Sequence, residues 1–266
     1  MIYQLKTRSP HALWSRFALD PMAIVMAITM SVVTAGLAKP VMASPGHTPS
    51  QPEIAGVLAF EFDAVEPLPD GEGLAGAIAG RSGTTLIIAG GANFPDAPRW
   101  ETKKVWYDSI QTLDLAADRP QWKTITTSLD GPVAYGVSLT HPLHGVISIG
   151  GANSTSHLDS CFILSIEGDS LVRTELPDLP IPLAYAAGTL DGDTVVLMGG
   201  QSTPGSAASD AVFLLDLAAE EITWTSGPPI PSGGRILPVA ATHRGEVMLF
   251  SGVALEPDGD GGHRRV

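Results

Sequence analysis

Four times along the chain, an apolar run, a turn and a second apolar run end on glycine. The copies read GLAGAIAGRSGTTLIIAGG (residues 73–91), VAYGVSLTHPLHGVISIGG (133–151), LAYAAGTLDGDTVVLMGG (183–200) and, more weakly, ILPVAATHRGEVMLFSG (236–252). The glycine pairs stand at Gly90-Gly91, Gly150-Gly151 and Gly199-Gly200, with Ser251-Gly252 in fourth place, at intervals of 60, 49 and 52 residues. A repeat of this length is one supersecondary unit that buries its apolar surface only against its neighbours. Each of the first three copies continues into a third strand-like run (SIQTLDL, SCFILSI, AVFLLDL) and a fourth (QWKTIT, LVRTEL, EITWTS). Four strands per unit, repeated radially, define an all-β fold, a β-propeller. With strands a to d counted from the axis outward, the double glycine is expected to end strand b, where neighbouring backbones approach closely. No GxxxxGK[ST] or GxGxxG follows any strand, so the glycines are not a phosphate cradle.

The unit resembles the kelch repeat: an apolar run into Gly-Gly, then an aromatic, then a tryptophan in the fourth strand. Trp122 and Trp224 hold that last position in two units, and residues 171–176 lack it. Strands a and b are antiparallel, so the start of a and the end of b share one face. The d–a links and the loops after Gly-Gly therefore converge on one mouth of the central channel. Loops held by a rigid scaffold at such a point are where function concentrates.

The longest of these loops is ANFPDAPRWETKKVWYD, residues 92–108. It gathers Arg99, Lys103 and Lys104 with Asn93, Phe94, Trp100 and Trp106 in an otherwise acidic chain. Cations for a carboxylate and aromatic faces for a ring fit a small anionic sugar. The alternative is a solvated lid packed on its own aromatics. Blade equivalence places Tyr135, Asn153, Tyr185, Gln201 and Arg235 around the same mouth.

The first 43 residues read as a cleaved signal peptide. Lys6, Arg8 and Arg16 lead, residues 22–38 are apolar apart from hydroxyls, and Val41-Met42-Ala43 fits a signal peptidase site. An uncleaved anchor is the competing reading. Cleavage leaves no stable membrane anchor and implies a periplasmic or secreted protein. Residues 44–55 then form a polar linker, 56–253 the propeller and 254–266 a polar tail. Removing residues 1–43 takes basic side chains from 15 to 11 and acidic ones from 28 to 27, a net charge of −16. Such a surface excludes nucleic acid as a partner.

Other constellations carry less. His141 and His144 have metal-like spacing but sit in an a–b turn without a third ligand. The lone Cys161 reads as a small buried hydrophobe. Asn153-Ser154-Thr155 is a glycosylation sequon, and Asp258-Gly259-Asp260 lacks the closing glutamate of a calcium loop. No GxSxG elbow is present.

GGANFPD, the KKVWYD segment and AYGVS before IGGAN closely resemble the cyclically permuted branch of the N-acetylneuraminate epimerase (sialic acid mutarotase) family. The likeness runs from about Leu68 to Gly252. It implies a six-bladed kelch propeller that interconverts the α and β anomers of sialic acid without cofactor or metal. Its non-permuted members are exported bacterial proteins. The chemistry needs a donor for the ring oxygen, a base for the anomeric hydroxyl and a cation for the carboxylate. In this family the acid–base pair resembles a Glu soon after a glycine with an Arg a few residues on. The loops here read GGANFPD, GGANSTSHLD, GGQSTPGS and SGVALEPD, and none offers that pair, so the catalytic residues are unassigned.

Strand counting gives the expected reason. A lone strand at 56–62, three full units and two strands of a fourth make fifteen, against about 24 for six blades. About nine strands are therefore wanting, as in a truncated product whose open sheet edges could self-associate. Two further functions compete. A kelch module could bind a glycan or protein without catalysis. A copper oxidase of the galactose oxidase type needs a Tyr–Cys crosslink and a His pair that this sequence does not supply.

Overall fold

The computed structural model describes residues 2–7, 60–69, 73–95, 101–258 and 263–265. The chain divides into two units, residues 1–65 and 66–266. In the first, β1 (Ile2–Thr7) pairs antiparallel with β2 (Phe60–Val65). The strand expected alone at 56–62 thus has a partner over its described part. Residues 8–59, which hold most of the expected signal peptide and the linker, lie outside the described residues.

The second unit begins with blade 1: β3 (Ile78–Ser82), β4 (Thr85–Ala89), β5 (Ala92–Asn93), β6 (Val105–Trp106), β7 (Ile110–Asp114) and β8 (Trp122–Thr124). Blade 2 is β9 (Val137–His141), β10 (Gly145–Ala152), β11 (His157–Glu167) and β12 (Ser170–Leu176). Blade 3 is β13 (Ala187–Asp191), β14 (Thr194–Met198), β15 (Val212–Asp216) and β16 (Trp224–Ser226). Blade 4 holds β17 (Val239–His243) and β18 (Glu246–Phe250). Blades 1 to 3 are four-stranded antiparallel sheets in a–b–c–d order, and the fourth is two-stranded. The innermost strands β3, β9, β13 and β17 lie side by side in sequence order. The tail expected to be irregular instead forms a hairpin, β19 (Leu255–Pro257) with β20 (His263–Arg265).

Blades 2 and 3 are apolar on both faces because each face meets another blade. Along β10, Val146 packs into the cluster shared with blade 1, among Ile78, Ile87, Ile110 and Leu164. Ile147 and Ile149 point the other way, among Val195, Leu197, Phe213 and Leu215 of blade 3. That two-sided burial is why all eight residues of β10 are buried and why its sequence reads as a continuous apolar run rather than an alternation. Cys161 belongs to this core, and burial pushes its thiol up to about 12, which leaves it unreactive.

The fourth-strand tryptophans fasten each blade to the link that feeds it. Trp122 Nε1 donates to the Glu66 carbonyl at 2.8 Å, and Trp224 Nε1 to the Pro177 carbonyl at 2.8 Å. In blade 2 the equivalent residue is Arg173, opposite Leu164 as Trp122 is opposite Leu113 and Trp224 opposite Leu215. Arg173 lies over the Phe162 ring at 4.0 Å and reaches Asp130 of the incoming link at 3.1 Å. The missing tryptophan is thus replaced by a planar cation that keeps the tether to the incoming link.

His141 answers the metal question for its turn. Its Nδ1 accepts from the Leu143 and His144 N–H groups, both at 3.2 Å, so Nε2 carries the proton and donates to Asp193 of blade 3 at 2.9 Å. Nδ1 thus closes its own turn and Nε2 joins blade 2 to blade 3. Among the described residues no group of three His, Cys, Asp or Glu is placed to hold a metal ion. His141→Ala should cost about 2–4 kcal/mol, since it strands two turn N–H groups and opens a cavity. Urea denaturation would measure this, and added zinc should leave the wild-type midpoint unchanged.

Candidate functional site at the channel mouth

The glycine pairs do more than end strand b. In blade 2 the β10–β11 ladder shifts register between Ile149 and Gly151, then resumes with Gly151 opposite Leu158 and Ala152 opposite His157. Blade 1 repeats this with Ala92 opposite Trp106, and blade 3 with Gln201 opposite Ala208. Gly-Gly is therefore a bulge, and beyond it strands b and c continue for a short stretch. The bulge needs glycine because the next blade enters there. A Cβ on Gly150 would stand 2.4 Å from the Leu183 carbonyl oxygen, and Gly151 N–H donates to that same oxygen at 2.8 Å.

The entering segments form an inner belt. Tyr135 N–H donates to the Gly76 carbonyl at 2.8 Å, Tyr185 to Tyr135 at 2.9 Å, and Leu237 to Tyr185 at 2.8 Å. All four belt residues have left-handed backbones, with φ of 64° at Gly76, 61° at Tyr135, 60° at Tyr185 and 54° at Leu237. For a non-glycine residue this conformation costs roughly 1–2 kcal/mol. Strain of that kind gathers where a fold aims side chains for use.

Belt and continuations together bring one cluster of rings into contact. Tyr135 and Tyr185 stack with centroids 5.2 Å apart. Trp106 meets Tyr135 edge-on at 5.6 Å, and His157 meets Tyr185 edge-on at 5.8 Å. Lys104 Nζ stands 4.3 Å from the Tyr135 ring centre and 4.8 Å from that of Trp106. Burial, with a smaller contribution from Tyr135, raises the Tyr185 pKa, so the phenol keeps its proton at neutral pH. Burial lowers the His157 pKa, against the hydrogen bond to the Gln201 carbonyl, so the imidazole is neutral there. A half-buried cation beside stacked rings can hold an anionic ligand that presents a flat apolar face.

Of the residues expected at the mouth, Lys104, Tyr135 and Tyr185 converge in this cluster. Asn93 is buried and accepts a hydrogen bond from the Tyr107 hydroxyl at 2.8 Å. Asn153 caps its own loop, its Oδ1 accepting from Thr155 and Ser156 N–H at 2.9 Å. Arg235 donates to the Ser251 carbonyl and to Ser232 Oγ, both at 2.6 Å, and so ties blade 3's outgoing link to blade 4. Gln201 donates to the Ser206 carbonyl at 2.6 Å within its own loop. Phe94 and Lys103 are exposed. Arg99 and Trp100 lie outside the described residues. Sequence does not single out His157, because its spacing past Gly-Gly matches that of neither Trp106 nor Ala208. Only the ladder continuation shows that the three are equivalent.

The architecture is a kelch-type β-propeller with four-stranded blades. The solved YjhT structure aligns with a TM-score of 0.61 and 17% identity, covering 74% of this chain and 64% of that one. Among curated sequences, the chain is 29% identical over 182 residues to Adagio-like protein 3 of Oryza sativa subsp. japonica, 65% of this chain and 27% of that protein. It is 27% identical over 181 residues to Adagio protein 3 of Arabidopsis thaliana, 65% of this chain and 27% of that protein. It is 40% identical over 92 residues to N-acetylneuraminate epimerase of Yersinia pestis (strain Pestoides F), 30% of this chain and 21% of that protein. The chain thus spans about a quarter of the length of these curated relatives. No protein-family model matches it.

Proposed function

We propose that this chain is an exported kelch propeller of the sialic acid mutarotase type, which binds N-acetylneuraminate at the channel mouth and interconverts its anomers. The observation that carries the proposal is the convergence of Lys104 on Tyr135 and Trp106, beside Tyr185, on the belt where the blades meet. The ammonium supplies the cation for the sugar carboxylate, and the stacked phenols face the ring. The stretch at 40% identity to an N-acetylneuraminate epimerase supports the same reading. A second reading, a kelch module that binds without catalysis, is favoured by the absence of the Glu–Arg pair from the loops after the glycine pairs.

One measurement separates them. Starting from the pure β anomer of N-acetylneuraminate, NMR should show saturable acceleration of α/β equilibration by the protein. Binding without acceleration would leave the non-catalytic module, and neither would exclude the sugar.

A further inference from the structure

Two histidines are buried in the described blades, and their ring nitrogens differ in a way that bears on chemistry. His141 has both nitrogens engaged in the turn and with Asp193. His157 has one protein partner: Nδ1, 2.8 Å from the Gln201 carbonyl oxygen. A carbonyl only accepts, so Nδ1 carries the proton and Nε2 keeps its lone pair. The buried polar atoms left without a partner among the described residues are Ser148 Oγ, Arg235 Nε and His263 Nδ1. Nε2 of His157 is not among them, so it opens to accessible space rather than into sealed core.

The fold does not require histidine at this position. The equivalent residue is Trp106 in blade 1 and Ala208 in blade 3, each facing the belt residue of the next blade or its neighbourhood across the same ladder continuation. Packing is served by a large ring or a methyl group. Blade 2 alone of these three places a titratable ring there, edge-on to Tyr185 and held by a carbonyl of blade 3.

We propose that His157 is the proton-accepting group of the channel-mouth site, its Nε2 facing the anomeric hydroxyl of the bound sugar. The proposal rests on the sugar-binding reading above. In the step, Nε2 takes the anomeric hydroxyl proton and the O–H electron pair becomes the new C=O bond. The bond from the anomeric carbon to the ring oxygen breaks, and its pair stays on that oxygen. Solvent water protonates the oxygen, leaving hydroxide. The open-chain ketone rotates, and reclosure on the opposite face returns each proton by the reverse path. His157 ends neutral and nothing is oxidised or reduced.

Two variants keep different parts of the environment. His157→Asn retains a donor to the Gln201 carbonyl, and His157→Phe retains the ring against Tyr185. Neither has the Nε2 lone pair. In the full chain, each should lose about 100-fold or more of the NMR-measured exchange acceleration. Their Kd for N-acetylneuraminate should stay within about threefold of wild type, since a group acting in the transition state changes rate more than binding. The sugar should also protect His157 from carbethoxylation, read by mass spectrometry of its peptide. Either folded variant retaining wild-type exchange, or no protection of His157 at saturating sugar, overturns the proposal while leaving the sugar-binding reading intact. A wild-type chain that binds the sugar without acceleration overturns the proposal and the catalytic reading together, and one that does not bind it overturns the sugar-binding reading as well.

Discussion

Gly150→Ala should destabilise the blades by about 2–5 kcal/mol, while Gly192→Ala should cost only about 1 kcal/mol. Both glycines have left-handed backbones, with φ of 57° and 59°. Each substitution therefore incurs the same conformational strain, roughly 1–2 kcal/mol, partly offset by the lower entropy of the unfolded chain. The surroundings differ. At Gly192 a Cβ meets nothing within 4 Å, whereas at Gly150 it falls 2.4 Å from the Leu183 oxygen and 3.1 Å from the Leu158 oxygen. Those are backbone atoms of the belt entry and of β11, and they cannot swing aside as a side chain would. Relief requires blade 3 to move off blade 2, which opens the Gly151–Leu183 hydrogen bond and the shared core below it. Urea denaturation of the two variants would read the difference as a shift in midpoint at unchanged slope. Equal costs would mean that the double glycine serves only the turn, not the junction between blades.

Tyr135→Gly should weaken N-acetylneuraminate binding at least tenfold, about 1.4 kcal/mol, yet lower stability by no more than about 2 kcal/mol. The ring touches Trp106, Tyr185 and Lys104, so its removal takes away the face on which a sugar would lie and frees the ammonium from its perch. Losing those ring contacts costs about 0.5–1.5 kcal/mol per pair. Glycine returns roughly 1–2 kcal/mol of backbone strain, because φ is 61° at this position. Tyr135→Ala removes the ring and keeps the strain, so it should be less stable than the glycine variant. That inverts the usual ranking of alanine over glycine inside regular structure. Calorimetric titration with the sugar, beside denaturation of both variants, tests the two halves independently. Undiminished affinity would move the ligand away from the belt.

Much of this architecture is legible in the chain. Apolar runs of strand length, returning at intervals of 60, 49 and 52 residues, leave few solutions other than four-stranded units packed face to face. Trp122 and Trp224 marked the fourth strands, and both do hold incoming links. Arg173 was invisible in that role, because a cation over a phenyl ring with its own carboxylate has no periodic signature. The tail hairpin is not legible: residues 255–257 and 263–265 are too short and too polar to show a strand pattern, and they pair with each other.

The site divides differently. Sequence placed Lys104, Tyr135 and Tyr185 near one mouth, because blade equivalence follows from the repeat. It also placed Asn93, Asn153 and Arg235 there as candidate ligand groups, and their side chains hydrogen-bond Tyr107, the 153–156 loop and the blade 4 junction. A polar residue in a loop reads the same whether it faces solvent or closes its own turn.

What the sequence determined by itself is therefore the repeat: four strands per blade, blade order and the need for glycine after strand b, all consequences of local pattern and backbone sterics. Tertiary structure alone decided which rings meet. Tyr135, Tyr185, Trp106 and His157 come from four segments of three blades. Their convergence depends on a left-handed belt and a bulged ladder, whose geometry is fixed by the close approach of neighbouring blades rather than by any one stretch of chain.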